Sequence, residues 1–150
     1  MDKLEPQQSV ISFLNYIIKD LSFSANPDFK LMDNNTVELG LNLSHSAEID
    51  FDTRSAAVGL GCKVSKGPEG NQPFNMEIEL VGFFSFSPGI DEAQAGNLLR
   101  VNTTAILFPY LRAIVSNVTA LSGFGGVILP IFNVQKMFDA QEGKVPIAKG

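Results

Sequence analysis

Cysteine, histidine and tryptophan are the residues that this 150-residue chain has least of. Tryptophan is absent, and Cys62 and His45 are single occurrences. One cysteine excludes a disulfide framework and indicates a reducing compartment, so we expect a cytoplasmic protein. One cysteine and one histidine also cannot reproduce the ligand spacing of a zinc site, and we expect neither a metal nor another cofactor.

Basic charge is scarce as well. The chain has 11 Lys and Arg against 16 Asp and Glu, which gives a net charge of -5. Proteins that bind nucleic acids need a basic footprint for the phosphate backbone, so we expect no nucleic-acid partner.

Long apolar runs are missing too. No uninterrupted run reaches the roughly 18 residues of a membrane-spanning helix. The first residues, MDKLEPQQSVISFLN, contain acidic residues and Pro6 and lack the basic and apolar regions of a signal peptide. We therefore predict a protein that does not insert directly into a membrane.

Residues that could carry acid–base or nucleophilic chemistry are few. His45 lies in LSHSAEID without an accompanying nucleophile motif, and a solvent-facing histidine is expected. Cys62 lies in GLGCKV and is predicted to be a small buried hydrophobe. Glu77 and Glu79 alternate along a predicted strand, which is typical of a solvated sheet face. We therefore predict that the protein is not an enzyme.

Apolar residues, in contrast, are abundant. Hydrophobic residues make up 45% of the chain, 12 residues are Phe, and the mean hydropathy is +0.13. This is more apolar side chain than one domain of this size easily buries. The excess predicts a Phe-rich core, an exposed apolar groove or an oligomer interface, and these are compatible with one another.

Four segments predict β-strands. Residues 8–24 form the first, with one face made of Ile11, Phe13, Ile17, Leu21 and Phe23. Residues 36–51 alternate as a half-buried antiparallel strand, and TRSAAVGLGCKVS continues as a third. FNMEIELVGFFSF is the clearest strand, and its apolar face is formed by Phe74, Met76, Ile78 and Leu80. The predicted sheet has one apolar and one acidic face.

Helical patterns follow the strands. IDEAQAGNLL predicts a short helix with Asp91 as its N-cap. A longer helix is predicted to begin or kink at Pro109 and to end at Gly123, with an apolar stripe of Leu107, Leu111, Ile114, Val115, Val118 and Leu121. NVQKMFDAQEG predicts a last short helix.

The order of the elements, four strands followed by helices, predicts a single α+β domain over residues 1–150, with helices on one face of a four-stranded antiparallel meander. Its core spans about residues 8–142, and residues 143–150 are predicted to be a flexible tail.

Large apolar residues also occur in the predicted connections, for example Phe29, Leu31 and Met32. Such residues cover the core, or they form a groove for an extended apolar peptide in which Met and Phe are adaptable contacts.

Four segments occur in order along the chain: KDLSF at residues 19–23, EIELVGFFSFSPGI at 77–90, ILFPYLR at 106–112 and LPIFNVQKMF at 129–138. Together they resemble the SecB family of protein-export chaperones. The first is similar to the end of that family's first strand, the second to its last sheet strand, the third to the start of its long helix and the fourth to the segment before its last helix. The resemblance covers roughly residues 8–142.

The resemblance implies an ATP-independent chaperone that holds unfolded preproteins in apolar grooves and delivers them to the SecA ATPase. The residues that match the groove are Phe23, Phe29, Leu31, Met32, Val134, Met137 and Phe138. Asp20 and Glu77 match acidic positions that contact SecA. Two other interpretations stay open: a SecB-like chaperone dedicated to one client such as an antitoxin, and a domain that binds a small apolar ligand.

The resemblance also implies self-association as a dimer of dimers, a homotetramer in which the long helices are sandwiched. The interface residues expected on this helix are Pro109, Tyr110, Leu111, Ile114 and Val118.

Overall fold

The computed structural model describes residues 11–29, 36–64, 72–89, 92–123 and 142–148. The elements in chain order are β1 (Ile11–Ala25), β2 (Thr36–Asp50), β3 (Ser55–Val64), β4 (Phe74–Phe86), α1 (Glu92–Leu121) and β5 (Glu142–Ala148). Four strands therefore precede a helix that packs on one face of their sheet, as predicted for an α+β fold.

The strands form one antiparallel sheet in the order β1-β4-β3-β2-β5. Strands β2, β3 and β4 are hairpin neighbours, but β1 lies beside β4 instead of β2. The predicted meander is therefore wrong, and the first four strands have Greek-key order. The alternation of residues along a strand identifies its faces but not its partner, which is why the sequence did not indicate this crossover.

Strand β5 occupies one edge of the sheet. Its residues pair with the first half of β2, from Thr36 opposite Ala148 to Asn42 opposite Glu142. The prediction of a flexible tail is therefore wrong for residues 143–148. Pro146 lies within this strand. An edge position tolerates a proline, since one side of an edge strand makes no ladder hydrogen bonds.

The two faces of β4 match the prediction. Its inner face is buried and consists of Phe74, Met76, Ile78, Leu80, Gly82, Phe84 and Phe86. Glu77 on the outer face is exposed, and Glu79 is half-buried. Burial of each large apolar side chain on the inner face contributes about 1.5–3 kcal/mol, so this strand is the centre of the core.

Strand β1 carries two β-bulges, between Phe13 and Asn15 and between Ile18 and Asp20. Each bulge adds one residue and switches the alternation. The residues opposite the inner face of β4 are Ile11, Phe13, Tyr16, Ile18, Leu21, Phe23 and Ala25. The predicted single face is therefore wrong at Ile17, which pairs with Val81 on the outer face.

The helical region is one 30-residue helix, α1, instead of a short helix followed by a longer one. Pro109 lies inside it, not at its start. Proline removes the hydrogen bond to the carbonyl four residues earlier, at Ala105. Both Ala105 and Pro109 are exposed, so water can hydrogen-bond that carbonyl.

The buried stripe of α1 repeats every four residues. It consists of Leu99, Thr103, Leu107, Leu111, Val115 and Thr119. Thr119 belongs to this stripe although it is not among the residues predicted for it, and Leu121 is 89% exposed although it was predicted to lie on it. The Thr119 hydroxyl donates to the carbonyl of Val115 at 2.7 Å, which satisfies the polar group inside the core.

The helix approaches the sheet most closely at Gly82. A Cβ atom at this position would lie 2.6 Å from Leu107 Cδ2 and 2.8 Å from Phe84 Cε2. Glycine is therefore required on β4 where the helix crosses it.

By length and composition alone, Leu99–Leu121 within α1 could cross a membrane. Core helices pass the same test, so this is a weak indication. In this fold the stripe of α1 is buried against the sheet.

Candidate functional site

The inner face of β1 is only partly covered by the rest of the described chain. Ile18 and Leu21 are opposite Leu80 and Ile78, which are fully buried, yet they are 46% and 41% exposed. Phe23 follows on the same face and is half-buried, with its ring 5.1 Å from that of Phe74. We call Ile18, Leu21 and Phe23 the inner β1 strip.

An aromatic cluster marks where the helix reaches β1. The ring of Tyr110 on α1 lies 4.7 Å from that of Tyr16 and 5.4 Å from that of Phe13. Phe13 in turn lies 5.3 Å from Phe84. These contacts fall in the first half of β1, and the inner β1 strip lies beyond them along the strand.

The turn after β1 leads the chain away from this strip. The Asn26 backbone N–H donates to the Pro73 carbonyl at 2.9 Å, and its side-chain amide donates to the Gln72 carbonyl at 2.7 Å. The Phe29 N–H donates to the Asn26 carbonyl at 3.2 Å, and its side chain is half-buried. The end of β1 is thereby joined to the start of β4, and Phe29 follows Phe23 along the path of the chain.

Of the predicted groove residues, the structure describes Phe23 and Phe29. The other five, Leu31, Met32, Val134, Met137 and Phe138, lie outside the described residues. Residues 133–141 of the predicted last helix also lie outside them, and its last two residues, Glu142 and Gly143, are wrong as helix because they begin β5. Ile18 and Leu21 were not among the predicted groove residues. The first bulge moves Ile18 to the inner face, and a simple alternation of residues does not indicate such a bulge.

Asp20 and Glu77, the predicted acidic contacts, lie on the outer face and are exposed. Asp20 pairs with Glu79, and Glu77 lies between Ser22 and Lys63 of the neighbouring strands. Lys19, at the second bulge, has its Nζ 3.8 Å from Glu79 Oε1. This ion pair is accessible to solvent, so we assign it little stabilisation.

The predicted interface residues of α1 fall into two groups. Leu111 is fully buried and faces the sheet of its own chain, so it offers no surface to another copy. Pro109 is exposed, Tyr110 is 38% exposed, and Ile114 and Val118 are half-buried. The accessible surface of these four residues is where a helix-mediated interface is possible.

His45 pairs with Leu60 on the inner face of the sheet and is half-buried. The prediction of a solvent-facing histidine is therefore wrong. Burial, and to a smaller extent the charge of Arg100, hold the pKa of His45 below its usual value. Cys62 is the predicted buried hydrophobe, and burial raises the pKa of its thiol to about 12, which makes it a poor nucleophile at neutral pH.

Comparison with known proteins decides which family these features belong to. The sequence model described as preprotein translocase subunit SecB matches residues 4–144. The chain belongs to the SecB family. A protein-export protein SecB from Nitrosospira multiformis is 31% identical over 135 residues, covering 89% of this chain and 84% of the relative. Another from Aromatoleum aromaticum is 28% identical over 143 residues, covering 94% and 89%.

Two further proteins are similar to this chain. An uncharacterized protein of Methanocaldococcus jannaschii is 29% identical over 137 residues, covering 88% of this chain and 84% of the relative. A SecB-like chaperone of Mycobacterium tuberculosis, solved in complex with a ChAD peptide from an antitoxin, has a TM-score of 0.66 at 15% identity, covering 81% of this chain and 90% of that chain. The structural likeness confirms the predicted fold, and family membership supports a chaperone role.

Proposed function

We propose that this SecB-family chain is an ATP-independent chaperone that holds unfolded preproteins in the cytoplasm and delivers them to SecA. No bond is made or broken in this function, and no cofactor takes part. Such a protein needs apolar surface that stays accessible to an extended chain.

The inner β1 strip is the observation that carries the proposal. Its side chains are apolar, accessible in the described chain and continuous with the buried inner face of β4. Phe23, which matches the family's groove, is part of this strip, and Phe29, the other described match, follows it in the chain. Full burial of one such side chain against a client would contribute about 1.5–3 kcal/mol, so a few contacts would hold a segment reversibly.

The SecA contact is proposed at the other face of the sheet. Asp20 and Glu77 are exposed there and close to Glu79 of the same face. Acidic side chains in this position would attract a basic surface of SecA, and SecA bound there would not contact the inner face of the sheet. A client and SecA could then be bound at the same time.

The proposed assembly is a dimer of dimers, to which α1 would contribute the exposed parts of Pro109, Tyr110, Ile114 and Val118.

The second candidate function is that of a chaperone dedicated to one client, because the similar Mycobacterium tuberculosis fold was solved with an antitoxin peptide. The third candidate function is binding of a small apolar ligand, which would occupy the inner β1 strip in place of a polypeptide.

The test is light scattering during refolding of a slow-folding denatured protein, without ATP, with the wild type and two variants. The double change Ile18→Ser and Leu21→Ser removes apolar surface from the strip. Ile17→Ser is the matched control, since Ile17 is 47% exposed on the same strand but lies on the opposite face.

We expect the wild type and Ile17→Ser to suppress aggregation at about one tetramer per client, and the double variant to lose suppression. Suppression by all three would reject the strip as the client surface. Suppression by none, with folded protein, would favour a dedicated client or a small ligand. The mass in solution, measured by static light scattering, checks the tetramer separately.

A further inference from the structure

One side of strand β2 is covered by β5 along only part of its length. Strand β2 pairs with β3 from Leu41 to Asp50 and with β5 from Thr36 to Asn42. Within the part of the chain that the structure describes, residues 43–50 therefore pair on one side only, and we call them the open β2 segment. A strand edge of this kind presents backbone N–H and C=O groups that can pair with another strand.

The open β2 segment has few of the features that keep sheet edges from associating. Its ladder with β3 is continuous and without a bulge, and its sequence LSHSAEID contains no Pro, Lys or Arg. Its two acidic residues, Glu48 and Asp50, lie at one end. Strand β5 beside it includes Lys144 and Pro146, which are residue types that protect an edge. The protection of this side of the sheet therefore ends where β5 ends.

The open β2 segment also carries apolar surface that its own chain leaves accessible. Leu43 and Ile49 pack against the core but are only half-buried, and Ala47 between them is exposed. Their partners on β3 are all buried. The incomplete burial is thus confined to the outermost strand, where one further strand would cover it.

Two copies of this segment are complementary when they run antiparallel about a twofold axis at Ser46. Residues that are directly opposite in an antiparallel pair share a face of the sheet. This register sets Leu43 of one copy opposite Ile49 of the other, and His45 opposite Ala47. The inner face of the sheet would therefore continue from one copy into the next with apolar pairs at both ends of the contact.

The charges of the outer face are compatible with the same register. Ser44 of one copy lies opposite Glu48 of the other, so no like charges are directly opposed. The two Glu48 positions are four residues apart along the strands, about 14 Å at the rise of a strand. This separation exceeds the screening length of about 8 Å at physiological salt, so their repulsion is weak.

The ends of the open β2 segment select the position of the axis. Asn42 is already paired with β5. At the other end, the Asp50 carboxylate accepts hydrogen bonds from two backbone N–H groups of the β2–β3 turn. Residues 43–49 lie between these two fixed points, and Ser46 is at their midpoint.

We propose that the open β2 segment binds the same segment of a second copy of this chain, so that two sheets join through antiparallel β2 strands. Backbone hydrogen bonds hold the two edges together, and the pairs of Leu43 with Ile49 add apolar contact on the inner face. The partner is selected because the order of apolar, small and acidic residues is complementary to itself about Ser46.

This contact is separate from the surfaces of the proposed function and does not depend on them. In the sheet, β1 and β2 are separated by β4 and β3. The inner β1 strip and Asp20 are on β1, and Tyr110 of α1 contacts the ring of Tyr16 on that strand. Pairing through β2 therefore adds an interface to the helix-mediated one and leaves the inner β1 strip accessible.

Disulfide cross-linking of the full chain under mild oxidation tests the register. Directly opposite Cα atoms of an antiparallel pair are about 4.5–5.5 Å apart, within the range that a disulfide spans. Ser46→Cys brings two thiols opposite each other, whereas Ser44→Cys, exposed on the same face, leaves them about 14 Å apart. Cys62 can stay, because burial raises the pKa of its thiol to about 12.

We expect a covalent dimer of Ser46→Cys on a non-reducing gel and little dimer of Ser44→Cys alone. A mixture of Ser44→Cys with Glu48→Cys should form the dimer again. Equal yields from Ser46→Cys and Ser44→Cys would indicate random collision and overturn the proposal. So would the absence of a dimer of Ser46→Cys with an unchanged circular dichroism spectrum.

A charge test examines the same register without a covalent bond. Ser46→Lys puts like charges directly opposite each other, and Ser44→Lys puts a cation opposite Glu48 of the second copy at two places. Sedimentation velocity over a range of concentrations gives the dissociation constant of the contact. We expect it to be about fivefold higher than in the wild type for Ser46→Lys and about fivefold lower for Ser44→Lys. A change of the same sign in both variants would contradict the register.

The nature of the occupant is checked with an excess of a carboxymethylated unfolded protein. The disulfide of Ser46→Cys should form equally well in its presence. Loss of the disulfide would assign this edge to a foreign extended segment and overturn the proposal. The refolding assay separates this result from the chaperone function, because Ser46→Lys leaves the inner β1 strip unchanged and should suppress aggregation like the wild type.

Discussion

At the scale of single residues, small side chains control how closely the helix and the sheet approach. Gly82 lies on the inner face of β4 under Leu107, and the distances leave no room for a methyl group. Gly96 in α1 has no atom within 4 Å of an added Cβ. The two glycines therefore have opposite expected responses to the same substitution.

We expect Gly82→Ala to lower the free energy of unfolding by about 1–3 kcal/mol, because Leu107 and Phe84 must leave their positions in a packed core. Gly96→Ala should raise the free energy of unfolding by about 0.5–1 kcal/mol, since alanine favours the helix. Urea unfolding followed by circular dichroism measures both. A neutral Gly82→Ala would mean that the helix lies further from β4.

His45 is a second residue with a measurable effect, because burial depresses its pKa. In the unfolded chain a histidine protonates near pH 6.5, whereas the folded state resists protonation. The unfolded state therefore binds more protons as the pH falls, and the stability that is present above pH 6.5 is lost below it.

The expected result is that Tm of the wild type falls more between pH 7.5 and 5.5 than Tm of His45→Gln, measured by differential scanning fluorimetry. Identical pH dependence in the two proteins would show that His45 is as accessible in the folded state as in the unfolded one.

At the scale of elements, the bulges of β1 decide what each face of the sheet offers. They bring Ile18 to the inner face, where Leu21 also lies, and add Leu14 and Lys19 to the strand. Without them, Ile17 and Leu21 would share a face, as strict alternation requires. The two bulges together therefore put Ile18, Leu21 and Phe23 of the proposed client surface on one face.

Strand β5 is the element whose removal can be tested most directly. A chain that ends at residue 141 should show faster hydrogen exchange in residues 36–42, because their partners in β5 are gone. Exchange in Phe74–Phe86, which pairs with β1 and β3, is the internal control and should not change. Unaltered exchange in residues 36–42 would contradict the pairing of β5 with β2.

An exposed β2 edge should also promote association between chains, since unpaired strand edges are templates for further pairing. Size-exclusion chromatography of the shortened chain at rising concentration tests this consequence.

At the scale of the whole molecule, the proposed function assigns the client to one face of the sheet and SecA to the other. Glu77→Lys should weaken SecA binding severalfold, with a larger effect at low salt, because a favourable charge is replaced by an unfavourable one on the outer face. Aggregation suppression should be unchanged, since the inner β1 strip is on the opposite face. Affinity measured by biolayer interferometry at two salt concentrations tests the first statement.

Asp28→Lys, a charge reversal in the exposed turn after β1, is the control for this prediction. A SecA affinity that is the same for Glu77→Lys and the wild type would reject a role for Glu77. Equal losses in both variants would indicate attraction to the overall net charge of -5.

Local pattern was sufficient for several features of this protein. The alternation of Phe74, Met76, Ile78 and Leu80 predicted both faces of β4, because successive side chains of a strand point to opposite sides. The change to a helical period after residue 86 predicted the α+β order. Motifs such as ILFPYLR were sufficient to indicate the SecB family, because they depend on residue identity and order alone.

Other features were decided only by the tertiary structure. The partner of β1, the two bulges and the pairing of β5 depend on hydrogen bonds between segments far apart in the sequence, which a local period does not encode. The helix continues through Pro109, because packing of its stripe on the sheet outweighs the local cost of proline. The sequence therefore determined which residues are apolar and in what order, and the sheet determined which of them are buried and which remain accessible to a partner.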